Sequence, residues 1–417
     1  MTSNRTLSIH QPEDILGYIP HMLGYWPEDS LVAITMQGKV LGATLRVDLP
    51  KLGSLQARSY FADQIRNFLV ADEDANGVVL AVYTDTGWAD GSVSRQAMPL
   101  LEALQLSLDE VDLSVRDAWL VGSDYWRSAY CTNVECCPDP GLPVDRIKNS
   151  RLSAELVYMG SSIGPSPRSA SGKPQFARPG VLDPLVLAAE SRYGKQILSS
   201  WRSERFLDAV LAVWCHVLGR CEANDPLQPG VDAELMGFLR TTLRVPSWRD
   251  AVVVMAAAGM ESAKSGAAAF GLLVEDSGDT PFDPQELGVP GLVVPADNVT
   301  SGGNSSRDVF TYGDVLLGMQ PDMPRWSTLD ALHKVLAGLC VDGESGVVPA
   351  AALTLQGWIS WCKGHGSFAH ACLSRAVAAQ PGYRLAELLM DLLGEGTICP
   401  WARNAGTAWR GFKDTVA

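Results

Sequence analysis

The stretch GVVLAVYTDTG, residues 77–87, decides how this chain is read. A strand with one face in water alternates apolar and polar residues, because successive side chains point to opposite faces. The run from Val78 to Tyr83 does not alternate. It predicts a strand buried on both faces, as a parallel sheet covered by helices requires.

Upstream, SLVAITMQGKVLGATLRVDLP, residues 30–50, reads as two strands around Gln37 and Gly38, with Pro50 ending the second. In that second strand Leu41, Ala43, Leu45, Val47 and Leu49 share one face, and Gly42, Thr44, Arg46 and Asp48 the other. A helix over 55–70 follows, with Ser54 as N-cap and Phe61, Ile65, Phe68 and Leu69 on its inner stripe. Downstream, a helix over 94–106 leads to SVRDAWLVGSDYWRSAYC, residues 114–131. That segment is either one strand followed by a loop or a hairpin turning at 122–124. Asp48, Asp85 and Asp124 recur at intervals of 37 and 39 positions. Each interval holds one helix, the size of a strand–helix–strand crossover. The expectation is an α/β amino-terminal domain, residues 1–160, around a small, mostly parallel sheet. GYIPHMLGYWPEDS, residues 17–30, reads as loop over 20–24 and 25–30: Tyr25 and Trp26 pack under the sheet, while Asp29 and Ser30 satisfy turn amides.

Beyond the sheet, SSIGPSPRSASGKPQFARPG, residues 161–180, has almost nothing to bury and reads as a linker. Helical patterns occupy 181–260, a loop-rich segment 261–325, and a helical bundle 326–417, giving an all-α carboxyl-terminal region. Within the bundle Leu353, Gly357, Ala369, Leu373, Ala376 and Pro381 stand where a tetratricopeptide repeat wants large, Gly, Ala, large, Ala and Pro. Gln356 and Ser360 depart from that pattern, and no second copy is present, so a single helical hairpin inside a bundle is expected.

The 417 residues carry a formal net charge of -14. That balance excludes a large phosphate-binding surface, because nucleic-acid affinity rests on Lys and Arg neutralising phosphates, and it disfavours anionic membranes. The longest apolar run, AVVVMAAAGM at 251–260, is about half of a ~20-residue membrane span. Nine cysteines, an odd number, read as reduced cytosolic thiols.

If strands two, three and four are parallel, Asp48, Asp85 and Asp124 fall at their carboxyl ends, where open α/β sheets bind ligands. They would then suit a divalent cation or general acid–base chemistry, with Arg46 holding an anionic substrate group. The plainer expectation is that they are polar strand ends, with Arg46 paired locally to Asp48. Asp124 leaves the cluster if it lies in a hairpin turn. In CTNVECCP, Cys131, Cys136 and Cys137 offer three thiols with the spacing C-x4-C-C, not the paired C-x2-C of common zinc sites, and no fourth ligand is close in sequence. No nucleophile elbow, Walker loop, H-E-x-x-H or G-x-G-x-x-G is read in the chain. His21, His216 and His333 read as core or surface residues.

Four stretches taken together resemble an actinobacterial family catalogued as a domain of unknown function. They are DILGYIPHMLGYWPEDSLVAIT with LRVDLP; VRDAWLV, YWRSAYCTNVECCPDPGLPV; ELVYMG with SPR; and WISWCKGHGSFAHACLSRAVAAQPGYRLAELL. His21 and Cys362 depart from its usual residues. The resemblance implies a soluble bacterial protein and carries no activity. The functional expectation is a cytoplasmic protein-interaction scaffold or homo-oligomer, acting with a protein partner or with itself. The alternative is an α/β-class, hydrolase-like enzyme, divalent-metal-dependent, with the acidic site above. No cofactor is named by the sequence.

Overall fold

Helix α1 (Pro12–Leu23) carries Pro20 in its last turn and closes at Gly24, whose φ of 78° lies in the left-handed region. The Gly24 amide donates to the Pro20 carbonyl at 2.9 Å, a helix stop that glycine makes at little cost. Residues 20–23 are therefore helical and not loop, because proline near a helix end interrupts few backbone hydrogen bonds. This computed structural model describes residues 9–50, 54–167, 180–197, 202–269, 271, 309–404 and 406–409. They fall into two compact units, one within residues 1–170 and one within 171–409.

In the first unit α1 is followed by β1 (Ser30–Gln37), β2 (Val40–Asp48), α2 (Leu55–Leu69), β3 (Gly77–Tyr83), α3 (Val93–Asp109) and β4 (Ser114–Val121). Then come β5 (Tyr125–Ser128), β6 (Leu142–Pro143), α4 (Asp145–Lys148) and α5 (Arg151–Tyr158). The six strands form one sheet in the order β2-β1-β3-β4-β5-β6. It is mixed and mostly antiparallel, which corrects the expectation of a mostly parallel sheet: only β3 and β4 pair parallel. The cause is local. The hairpin at Gly38 lays β2 on one edge of β1 and β3 pairs with the other, so the α2 crossover joins two strands that share a direction without touching. The α3 crossover alone brings its strands side by side.

Every residue of β3 is buried. Val78, Leu80 and Val82 pack with Ile65 and Leu69 of α2 and Leu101 and Leu104 of α3. Val79, Ala81 and Tyr83 face Leu16 and Ile19 of α1 and Ile147 of α4. The unbroken apolar run thus fills two cores, with helices on both sheet faces. Ser54 caps α2 as expected, accepting the Ala57 amide at 3.2 Å.

A β-bulge breaks the pairing of β1 with β2 between Ile34 and Met36, where Thr44 and Leu41 are the partners. Leu45 and Val47 consequently join the α2–α3 core while Leu41 joins the α1 core, so the single inward face expected for β2 switches midway.

The second unit is helical: α6 (Pro184–Ile197), α7 (Glu204–Glu222), α8 (Ala233–Thr242), α9 (Pro246–Ala258), α10 (Met260–Ala269), α11 (Tyr312–Leu316), α12 (Trp326–Leu339), α13 (Val347–Cys362), α14 (Gly366–Ala379), α15 (Arg384–Gly394) and α16 (Pro400–Arg403). The linker expected at 161–180 lies largely outside the described residues, at 168–179, as does most of the 261–325 segment. Helices α13 and α14 pack as a hairpin. A Cβ on Gly357 would meet Leu373 Cγ at 2.9 Å and the Ala369 carbonyl at 3.2 Å. Among the described residues no helix is long and apolar enough to cross a membrane.

Candidate functional site

The sheet places the sequence-derived acidic residues on one rim. Asp48 pairs with Ser30, Ser30 with Tyr83, and Tyr83 with Val121. The carboxyl ends of β2, β3 and β4 therefore share an edge although β1 separates the first two. Two strand spacings, about 10 Å, lie between the Asp48 and Tyr83 backbones.

Local partners take up each candidate. Arg46 forms an ion pair with Asp48, and its Nη2 also donates to the Glu28 carbonyl at 3.2 Å. Asp85 Oδ1 accepts the Ser123 amide at 2.7 Å. Asp124 sits in the hairpin turn between β4 and β5 and so leaves the cluster; its Oδ2 accepts the Ser123 hydroxyl at 3.4 Å and its main-chain carbonyl the Val144 amide at 2.9 Å. The loop leading into β1 is knitted to the same edge: Leu49 donates to the Asp29 carbonyl at 2.8 Å, and Ser30 Oγ to the Glu28 carbonyl at 2.5 Å. Tyr25 is buried, and Trp26 stands edge-on to Tyr83 with ring centroids 6.2 Å apart.

The three thiols behave differently. Strand β5 runs antiparallel to β4, away from the acidic rim, and the chain then enters the loop that holds Cys131, Cys136 and Cys137. Asn133 shapes that loop. Its side-chain Oδ1 accepts the Glu135 amide at 2.9 Å, and its carbonyl accepts the Cys137 amide at 2.9 Å. Such a turn is what a short polar side chain offers the backbone. It folds Cys136 and Cys137 back onto Cys131. Arg127 and Asp139, 3.7 Å apart, close the loop from its two ends. The three sulfurs lie within 4.8 Å of one another, and Cys131 Sγ is 3.1 Å from Cys136 Sγ. Hydrogen bonds from Cys136, and further from the loop around Asn133 and from Cys137, hold the Cys131 thiol below the ordinary cysteine value. Its hydrogen bond to Cys131 pushes Cys136 up to about 11. Of the two, Cys131 is the more readily ionised. Among the described residues this is the one group of three or more His, Cys, Asp or Glu side chains placed to hold a metal ion.

Two features fall outside the expectations above. Residues 160–164, GSSIG, do spell G-x-S-x-G, contrary to the expectation that none occurs. The segment follows helix α5, whereas a nucleophile elbow joins a strand to a helix. The motif's own serine, Ser162, is exposed; its neighbour Ser161 is buried, with Oγ 2.8 Å from His21 Nδ1, and this pair ties the end of α1 to the exit of α5. The second feature is the β1–β2 bulge. Thr35 Oγ1 accepts the Ala43 amide at 2.7 Å and donates to Asp72, and Gln37 Nε2 donates to the same carboxylate at 2.7 Å. A clue in the sequence is Gly42, where a Cβ would collide with Thr35 and Asp72 oxygens.

No curated protein and no solved structure matches this chain. The model of DUF4192, a domain of unknown function, matches residues 12–275 and 329–398, taking in the sheet, the thiol loop and most of the helical unit. The chain belongs to the DUF4192 family.

Proposed function

We propose that this chain is a cytosolic, non-catalytic interaction scaffold that assembles with copies of itself. The observation that carries the reading is an exposed apolar patch where α1 and α5 end. Val157 and Tyr158 are 59% and 85% exposed, and Met22, Met159 and Ile163 are also exposed. The His21–Ser161 contact and the Gly164 amide on the Gly24 carbonyl, at 2.8 Å, hold these segments side by side. Exposed apolar side chains gathered on neighbouring segments mark a docking surface more often than scattered single ones do. The α13–α14 hairpin, taken as tetratricopeptide-like, adds a second element suited to protein contacts. The net charge of -14 favours protein over nucleic acid as the partner, and nine free thiols suit a reducing compartment.

Native mass spectrometry of the purified chain tests this. The unaltered protein should appear as an oligomer and Tyr158→Glu as a monomer; a monomeric parent chain overturns the reading. The rival reading, a hydrolase-like enzyme at the acidic rim, has in its favour the shared edge of Asp48 and Asp85. It weighs less because Arg46 and the Ser123 amide already occupy those carboxylates.

A further inference from the structure

The thiol loop carries an inference independent of self-association. We propose that Cys131, Cys136 and Cys137 together bind one zinc ion as thiolates, with the fourth coordination position open to solvent.

Ligand chemistry comes first. Thiolates are soft donors that select zinc or copper(I) over the hard cations of carboxylate sites. Geometry agrees. Zinc–sulfur bonds of about 2.3 Å in a tetrahedron set the sulfurs ~3.8 Å apart, and here all three lie within 4.8 Å of one another. The Cys131–Cys136 pair, at 3.1 Å, would open by roughly 0.7 Å around the ion. That movement is within the reach of side-chain rotation in a surface loop.

The loop is also built without help from the metal. The Asn133 turn and the Arg127–Asp139 ion pair bring the sulfurs together, so binding does not need to order the chain first. Three thiolates around a dication leave one net negative charge, which the Arg127 guanidinium at the base of the loop partly offsets. Cys136 is exposed and gives the ion a way in from solvent. Among the described residues no fourth His, Cys, Asp or Glu ligand atom joins the cluster. The remaining position therefore falls to water or to an incoming ligand. Three protein ligands plus an open position is the arrangement of reactive zinc, whereas structural sites close with four.

The test uses the full chain, reduced with a phosphine and titrated with zinc chloride against a chromophoric chelator, with native mass spectrometry for stoichiometry. One zinc per chain is expected. Cobalt(II) in its place should give thiolate-to-metal charge-transfer absorption. Cys136→Ser, at an exposed position, should weaken zinc binding by more than the ~10- to 100-fold that loss of an outer-sphere partner brings. Cys215→Ser, exposed on α7, should leave binding unchanged, and far-UV circular dichroism checks that each variant folds. Cys137 is buried, so the exposed Cys136 is the ligand whose removal leaves the fold intact. A reduced chain that retains no zinc overturns the proposal. So does Cys136→Ser binding as tightly as the parent, or a Cys131–Cys136 disulfide that survives the reductant. Self-association is read separately, by the Tyr158→Glu variant.

Discussion

Asp85 closes the turn that follows β4: its Oδ1 accepts the Ser123 amide at 2.7 Å, joining the ends of two parallel neighbours. A carboxylate in that position stabilises a backbone donor, and at this exposed site the bond is worth about 0.5–1.5 kcal/mol. Asp85→Asn keeps an acceptor and should lower stability by less than about 1 kcal/mol, with assembly intact. Asp85→Ala should cost about 0.5–1.5 kcal/mol in urea denaturation, because water can take the freed Ser123 amide. Loss of a measured turnover in Asp85→Asn, with the fold spared, would move the functional reading to the enzyme.

The bulge supplies a second test. Burial alone would raise the Asp72 pKa, but hydrogen bonds from Thr35, Gln37 and the Ala43 amide outweigh it and hold the carboxyl below the ordinary value. A folded-state pKa below the unfolded one means the stabilisation is fully present above about pH 4. It is lost as the pH falls through the folded-state value. Asp72→Ala should therefore destabilise the first unit by about 1–3 kcal/mol at pH 7, and the deficit should shrink on acidification. A deficit that stays constant with pH would refute the account.

How far the letters reach is visible in these same elements. Strand β3 is legible because an apolar run needs two cores, and it has them. The order of the strands is not, since placing β1 between β2 and β3 is a non-local pairing that no local pattern records. Nor is the bulge, because Asp72 lies 37 residues beyond Thr35. The three cysteines are legible as residues. Their convergence depends on what Asn133 does to the backbone, which the C-x4-C-C spacing alone does not state. Arg46 with Asp48 is the plain expectation, and the ion pair is present.

The carboxyl-terminal end of the helical unit is an acid-sensitive point. His333 on α12 and His365 before α14 are both held down to about 4, by burial and by the Lys363 ammonium, against a weaker opposing pull from Asp330. His365 and Lys334 further lower His333. Trp409 covers the group, its ring 5.3 Å from His365 and 4.5 Å from Lys363 Nζ, with its indole N–H on Asp330 at 3.2 Å. Above pH 6.5 both states hold these histidines neutral and stability is full. Between pH 6.5 and about 4 the unfolded chain takes up protons that the folded chain does not, so stability falls as pH falls. Each histidine contributes a slope of at most about 1.4 kcal/mol per pH unit. His365→Gln should flatten that slope by one proton when denaturation is followed at several pH values, and an unchanged slope would contradict the assignment.

The α13–α14 hairpin depends on how closely its helices approach at Gly357. In an open helix, alanine in place of glycine gains about 1 kcal/mol. Here the added methyl would stand 2.9 Å from Leu373 Cγ and 3.2 Å from the Ala369 carbonyl, so Gly357→Ala should instead lose about 1–3 kcal/mol through overpacking. Leu373→Ala alone should cost about 2–5 kcal/mol, since Leu373 is fully buried. The double variant separates a steric cause from a general one. If the Leu373 side chain is what excludes a Cβ, removing it leaves room for the methyl, and the two losses should fall short of additive by about 0.5–3 kcal/mol. Strict additivity in thermal or urea denaturation would mean that the Ala369 carbonyl, a backbone atom that cannot move aside, sets the limit and that the glycine is required by the backbones themselves.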